Sequence, residues 1–396
     1  MSPHPPGKRL LLPTDQIARK PLRAWSRDLA SRLARGGAEA ESAGGVVAAC
    51  ANNAALILAH GGDTGAARAL CMQHIAWGQE RAAAGDAEAL TWTVQPWVNL
   101  GRLGTLAQGD VDEALERFAA PLAFARRRPG PSAPPLHTAV HRMLERDGAK
   151  ALDLFALVYV VDSTRALLSS GRYEDVLAFR LPPDASGSGA RHRLAEARIV
   201  ALTYLSRHGE AEAEARACIS ETASWSKLVF YLRWAEILAS SGRLADAGAV
   251  AAPLTSLCLR LSPIIGALPP SEVSPLLVLA RIAQVAADLG CERRDVEGLR
   301  QATLRAAVRA EDLVLEWELV RLGLQVALPP ERDRCASRLD EIASATAYAR
   351  LRPAGRCRPL PEEIGRVCHL LASSMSTPAL RAADRRPAAP DLAASA

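Results

Sequence analysis

Six times along the chain an Ala-rich run of helical periodicity stops at a glycine, and a second such run starts within a few residues. The glycines are Gly62, Gly109, Gly171, Gly209, Gly242 and Gly290, at intervals of 33 to 62 residues. A helix closes readily on a residue in the left-handed conformation, which glycine adopts without a Cβ clash. Asp63, Asp110 and Glu210 then set a carboxylate at the start of the next run, where the helix dipole favours negative charge. Each stop predicts two helices joined by a tight turn, and successive pairs must bury their apolar stripes against one another.

Composition supports that reading. Aromatic residues make up 4% of the chain and β-branched residues are few, which argues against an all-β fold and for closely approaching helices. Hydrophobic residues at 49% and charged residues at 23% are ordinary for a globular protein, so wholesale disorder is excluded. Pro/Gly/Ser clusters at 128–135, 181–189 and 261–270 mark loops. The expected organisation is a disordered N-terminus over 1–13, capping helices over 14–40, a helical-repeat array over 41–350, a C-terminal helix over 351–372 and a disordered tail over 373–396.

The turn pattern, read with its neighbouring residues, resembles the tetratricopeptide-repeat family. The clearest match runs from Trp97 through Asn99-Leu100-Gly101 and Gly109-Asp110 to Ala114 and Phe118, its first helix being a residue longer than the family's. A second runs from Tyr231 through Ala235 and Leu238 to Gly242 and Ala247, and a third from Asn53 through Leu58 and Gly62 to Ala67. The long and unequal intervals are similar to the irregular arrays in sensory regions of bacterial transcription activators of the maltose-regulator type. No DNA-reading helix pair and no G-x-x-x-x-G-K-[ST] phosphate loop accompanies them here.

The resemblance implies an all-α fold, a right-handed superhelix (α-solenoid) of about six to seven helical hairpins. It also implies a concave wall built from the first helix of each hairpin, which grips a peptide or a partner's helix. Carried over from the turn glycines, that register puts Asn52, Asn99, Asp162, Arg165, Glu196, Thr203, Arg233 and Glu236 on the wall as partner-binding residues. Their mixed charge suits ion pairs and hydrogen bonds, and a groove that holds only water is the plainer alternative.

Other patterns bear on chemistry. His137 and His141 lie one turn apart with Glu145 beyond, on a helix opened by Pro134-Pro135, a spacing that can hold Zn²⁺. The glutamate that zinc hydrolases carry beside the first histidine is replaced by Thr138, so a solvated helix face is the favoured reading. No G-x-S-x-G and no Cys–His pair at a workable spacing occurs, and the adjacent Cys368 and His369 diverge on a helix. Trp92, Trp97, Tyr231 and Trp234 are expected to fill space between layers rather than stack on a ligand. Leu22, Trp25, Leu29 and Leu33 form an apolar stripe flanked by Arg23, Arg27, Arg32 and Arg35, which predicts a terminal cap in preference to a membrane-surface helix.

The formal charge of +5, from 48 basic and 43 acidic residues, is too mild for a protein that lives on phosphate backbones. The eight cysteines are scattered and read as reduced core thiols of a cytoplasmic protein. No leader or membrane span is expected, the apolar window 151–161 reading as a buried helix. The function these features point to is non-catalytic: a protein–protein interaction scaffold or regulatory adaptor, with no cofactor, no metal, and a protein or peptide as partner. A metal-dependent enzyme using His137, His141 and Glu145, and an effector-sensing half of a transcription-regulation system, are the rival readings.

Overall fold

A computed structural model describes residues 27–33, 43–86, 88–106, 110–126, 134–181, 188–222, 226–266, 273–326, 329–345 and 362–376. Among the described residues every regular element is helical. They are α1 (27–33), α2 (Ala43–His60), α3 (Thr64–Ala83), a short 3-10 turn (Ala89–Thr93), α4 (Val94–Leu106), α5 (Val111–Ala125), α6 (Pro134–Asp147), α7 (Ala149–Ser169) and α8 (Tyr173–Ala178). There follow α9 (Ser188–Tyr204), α10 (His208–Glu221), α11 (Ser226–Ser240), α12 (Leu244–Gly266), α13 (Val273–Asp288), α14 (Arg293–Arg309), α15 (Leu313–Val326), α16 (Pro329–Ala345) and α17 (Glu362–Ser376). The expected disordered termini fall outside the described residues, except that α17 carries the C-terminal helix on to Ser376 rather than ending it near 372.

Tight turns of one kind join helix to helix. At Gly62 (φ 93°) the amide donates to Ala59 O, and the Asp63 amide reaches back to Leu58 O at 2.9 Å. This double bond pattern satisfies the last carbonyls of the helix and reverses the chain. It recurs at Gly171, Gly242 and Gly290 (φ 78°, 81° and 70°) with the same pair of bonds. Gly109 lies outside the described residues.

Gly209 is a correction: it sits in the first turn of α10, and the left-handed position there belongs to Ser206 (φ 59°), whose amide bonds to Thr203 O. A further turn of the same type at Glu311 (φ 54°) joins α14 to α15 and carries no glycine to announce it. An L-residue in this conformation costs about 1–2 kcal/mol. Ser206→Gly and Glu311→Gly are therefore each expected to stabilise the protein by about 1 kcal/mol, read as a raised urea midpoint at unchanged slope.

From α2 to α16 each helix packs on its chain neighbours, and a second set of contacts links α2 to α4, α4 to α7, α7 to α9, α9 to α11, α11 to α13 and α13 to α15. These seven helices lie side by side, and α3, α5, α10, α12, α14 and α16 each pack against one or two of them. Small residues sit where the approach is closest. A Cβ at Gly101 would lie 2.6 Å from the Phe118 ring, and one at Gly44 would collide with the Trp92 ring. Phe118 is 1% exposed and fills the space that the missing side chain leaves. Trp92 in turn stacks on Trp77 at 5.2 Å with the Arg81 guanidinium over both rings, so these aromatics are packing elements.

Over Leu244–Ile264, α12 is long and apolar enough to cross a membrane by length and composition, a feature the sequence reading assigned to no segment. It buries Ala247, Ala251, Leu254 and Cys258 against the neighbouring helices, while Leu257 and Ile264 remain exposed. The window 151–161 lies in α7 and buries Ala151, Phe155, Ala156, Val160 and Val161.

Candidate functional site

Five of the first helices, α4, α7, α9, α11 and α13, carry a polar pair at i, i+3, and on three of them the pairs fall in one register. Asp162 and Arg165 on α7, Arg233 and Glu236 on α11, and Arg281 and Gln284 on α13 each lie nine and six residues ahead of the turn glycine that follows them, Gly171, Gly242 and Gly290 respectively. Asn99 and Arg102 on α4 lie one residue farther from Gly109, while Arg193 and Glu196 on α9 lie about one helical turn farther from the left-handed Ser206. Residues three apart share a helix face, so neighbouring helices present these groups to one another.

They join into a polar seam. Asn99 Nδ2 donates to Asn52 Oδ1 at 2.7 Å, linking α4 to α2, and Arg102 reaches forward to grip Asp162 of α7 through two bonds of 3.0 and 2.9 Å. The same guanidinium donates to Asn99 Oδ1, and Arg165 Nη1 stands 3.7 Å from Asp162. Farther along, Arg233 bridges two helices by donating to Glu196 Oε1 of α9 at 2.7 Å and to Glu236 Oε2 of its own helix at 2.8 Å. Arg281 of α13 closes on the other oxygen of Glu236 at 2.8 Å. Gln284 then donates to Gln325 of α15 at 3.3 Å. Such two-pronged guanidinium–carboxylate contacts are strong and set the relative rotation of the helices that carry them.

Depth along the seam corrects the expectation of an open wall. Asn99, Asp162, Glu196, Thr203, Arg233 and Glu236 are all buried; Arg233 is 1% exposed and Glu196 0%. Their partners are one another because a guanidinium or carboxylate withdrawn from water between two helices must be paired there. Thr203 gives its hydroxyl to Ile199 O within α9. Asn52 and Arg165 are half-buried, as are Arg102, Arg193 and Arg281, so the groups that reach solvent from this layer are mostly arginines. Arg102, Arg193, Arg281, Gln284 and Gln325 were missed by the sequence reading. The spacing to the turn glycine is the signal that finds Arg281 and Gln284.

Burial and charge act in opposition on these groups. Burial pushes Arg193 down to about 10, with Glu196 resisting and Arg165 adding to the fall. At Glu236 burial raises the carboxyl, yet the charges and hydrogen bonds of Arg233 and Arg281 outweigh it and hold the group below its ordinary value.

His137 and His141 are within ring contact of each other at 4.6 Å, edge to face, and His137 also abuts Phe124 at 5.2 Å. Among the described residues no group of three or more His, Cys, Asp or Glu side chains is placed to hold a metal ion, and Glu145 is not gathered with the two histidines. Burial raises the thiols of Cys50, Cys71, Cys218 and Cys258 to about 11 or 12, away from nucleophilic use. Together the fold and seam define an all-helical protein whose paired helices are cross-linked through one layer by ion pairs. No model of a known protein family, no curated protein and no solved structure matches the chain.

Proposed function

We propose that this protein is a non-catalytic protein–protein interaction scaffold or regulatory adaptor of the cytoplasm. In this reading the array is a tetratricopeptide-like, right-handed α-solenoid of about six to seven hairpins, and a partner's extended peptide lies along the layer formed by α2, α4, α7, α9, α11 and α13. The observation that carries it is the recurrence of i, i+3 polar pairs on α4, α7, α9, α11 and α13 that bond from helix to helix, with Arg102, Arg165 and Arg281 half-exposed at the rim and Asp162, Glu196 and Glu236 buried beneath. The buried carboxylates hold the arginine heads in fixed positions, so a partner meets donors already oriented for hydrogen bonding.

The test uses rim residues, because Arg233 is too deep to be reversed without loss of the fold. The full chain, used as bait, is expected to retain a stoichiometric partner that Arg165→Glu with Arg281→Glu releases at unchanged helicity. Undiminished retention of every partner by that double variant would remove the layer as the binding surface.

A further inference from the structure

A helix that faces water turns its charged residues outward, and α12 departs from that rule. The helices α10 and α14 obey it: α10 exposes Glu210, Arg216 and Glu221, and α14 exposes Arg294, Arg305 and Arg309. From Leu244 to Ile264, α12 carries two charged residues, Asp246 and Arg260, and only 28% of that apolar window is buried. A helix apolar on every side is normally enclosed, so the outer face of α12 is the kind of surface that another molecule covers.

The pattern on that face says which molecule fits it. Asp246, Ala249, Pro253, Leu257, Arg260 and Ile264 are all exposed, and steps of three and four residues keep them on one stripe over about five turns. Pro253 lies midway between the two charges, and counting outward from it in both directions matches unlike with unlike. Seven residues out, Asp246 answers Arg260; four out, the methyl of Ala249 answers the larger Leu257. Eleven out, Ile264 answers Gly242, the exposed turn glycine ahead of α12, where a Cβ would meet nothing. Such a stripe is complementary to itself turned end for end, the geometry of an isologous two-fold contact. Asp246 also accepts from Arg243 Nε at 2.8 Å, and a carboxylate has room for a second guanidinium.

We propose that the outer face of α12 joins two copies of this chain in a symmetric dimer, the two helices antiparallel and crossing at Pro253, with Asp246 of each copy on Arg260 of the other. Leu257 then packs beside Ala249, and Ile264 lies over Gly242. One helix from each copy makes a contact at the small end of the range for specific complexes, so the dimer dissociates on dilution. It uses no residue of the polar seam and does not depend on the role given to that layer.

Sedimentation equilibrium of the full chain over a dilution series is the test. The wild type is expected to run as a dimer that falls to monomer on dilution. Leu257→Asp, at an exposed position, is expected to raise the dissociation constant at least about tenfold at unchanged helicity. Asp246→Arg and Arg260→Asp each set like charges against one another at both ends of the contact, and each is expected to weaken it. Mixed in equal amounts they are expected to restore the dimer, because one copy then brings two cations and the other two anions. A wild type that stays monomeric throughout, a dimer that Leu257→Asp leaves intact, or a mixture no tighter than either charge variant alone would overturn the proposal. Co-sedimentation of a monomeric chain with phosphatidylserine vesicles, lost in Leu257→Asp, would overturn it in favour of a lipid surface.

Discussion

Arg233→Met is expected to destabilise the protein by about 3–5 kcal/mol, the range for removing one member of a fully buried ion pair. Arg233 lies between Glu196 and Glu236 at 2.7 and 2.8 Å, and all three are 3% exposed or less. Methionine fills much of the same volume, so the loss is electrostatic: two carboxylates stay in the interior stripped of the guanidinium between them. Because that penalty belongs to the remaining charges, adding Glu196→Gln to Arg233→Met is expected to recover a large part of it. The double-variant cycle in urea should therefore be strongly non-additive.

The pH dependence supplies a second check. In the wild type Glu236 is held below its ordinary value, so it contributes stability above the unfolded carboxyl range that is lost as pH falls through the folded one. Without Arg233 its carboxyl shifts upward, and the deficit of the single variant is expected to shrink between pH 7.5 and pH 5. A deficit independent of pH and additive with Glu196→Gln would mean that packing, not charge, is lost.

His74→Leu is expected to lessen the protein's sensitivity to mild acid. His74 on α3 is 2% exposed, both its ring nitrogens are buried without a hydrogen bond, and Trp77 lies 6.0 Å away. Burial lowers its pKa to about 4 from an ordinary 6.5. The unfolded chain thus takes up a proton below about 6.5 that the folded chain refuses until about 4, so the unfolded state binds more protons across that window. Stability falls as pH drops through it, by about 1.4 kcal/mol per pH unit and about 3 kcal/mol in all. Leucine binds no proton in either state and satisfies an apolar site that imidazole cannot.

Urea unfolding of both chains at pH 7.5 and pH 4.5 separates this from the carboxylates, whose titration is common to the two and cancels in the difference. The variant should gain on the wild type by about 2–3 kcal/mol between those conditions. An unchanged difference would show that His74 is not the group responsible.

The seam shows how far residues alone could lead. Counting back from Gly171 and Gly242 places Asp162, Arg165, Arg233 and Glu236 on the helices that share a layer, and the structure brings them into that one layer. What the count could not supply is depth. Arg233 meets Glu196 across 37 positions, Arg281 meets Glu236 across 45, and Arg102 meets Asp162 across 60. A charged residue on a helix face looks the same in sequence whether it borders water or another helix's opposite charge.

Local chemistry written in the residues fixed the helical class and several of the turns. An Ala-rich periodic run needs no distant partner to favour a helix, and a glycine at Gly62, Gly171, Gly242 or Gly290 ends one on its own terms. Tertiary packing decided the remainder: the left-handed turns at Ser206 and Glu311, the burial of Asn99, Asp162, Glu196, Arg233 and Glu236, and the return of α17 to α2. Those outcomes depend on contacts between segments far apart in the chain, where the free energy of burying one surface against another outweighs what each residue prefers alone.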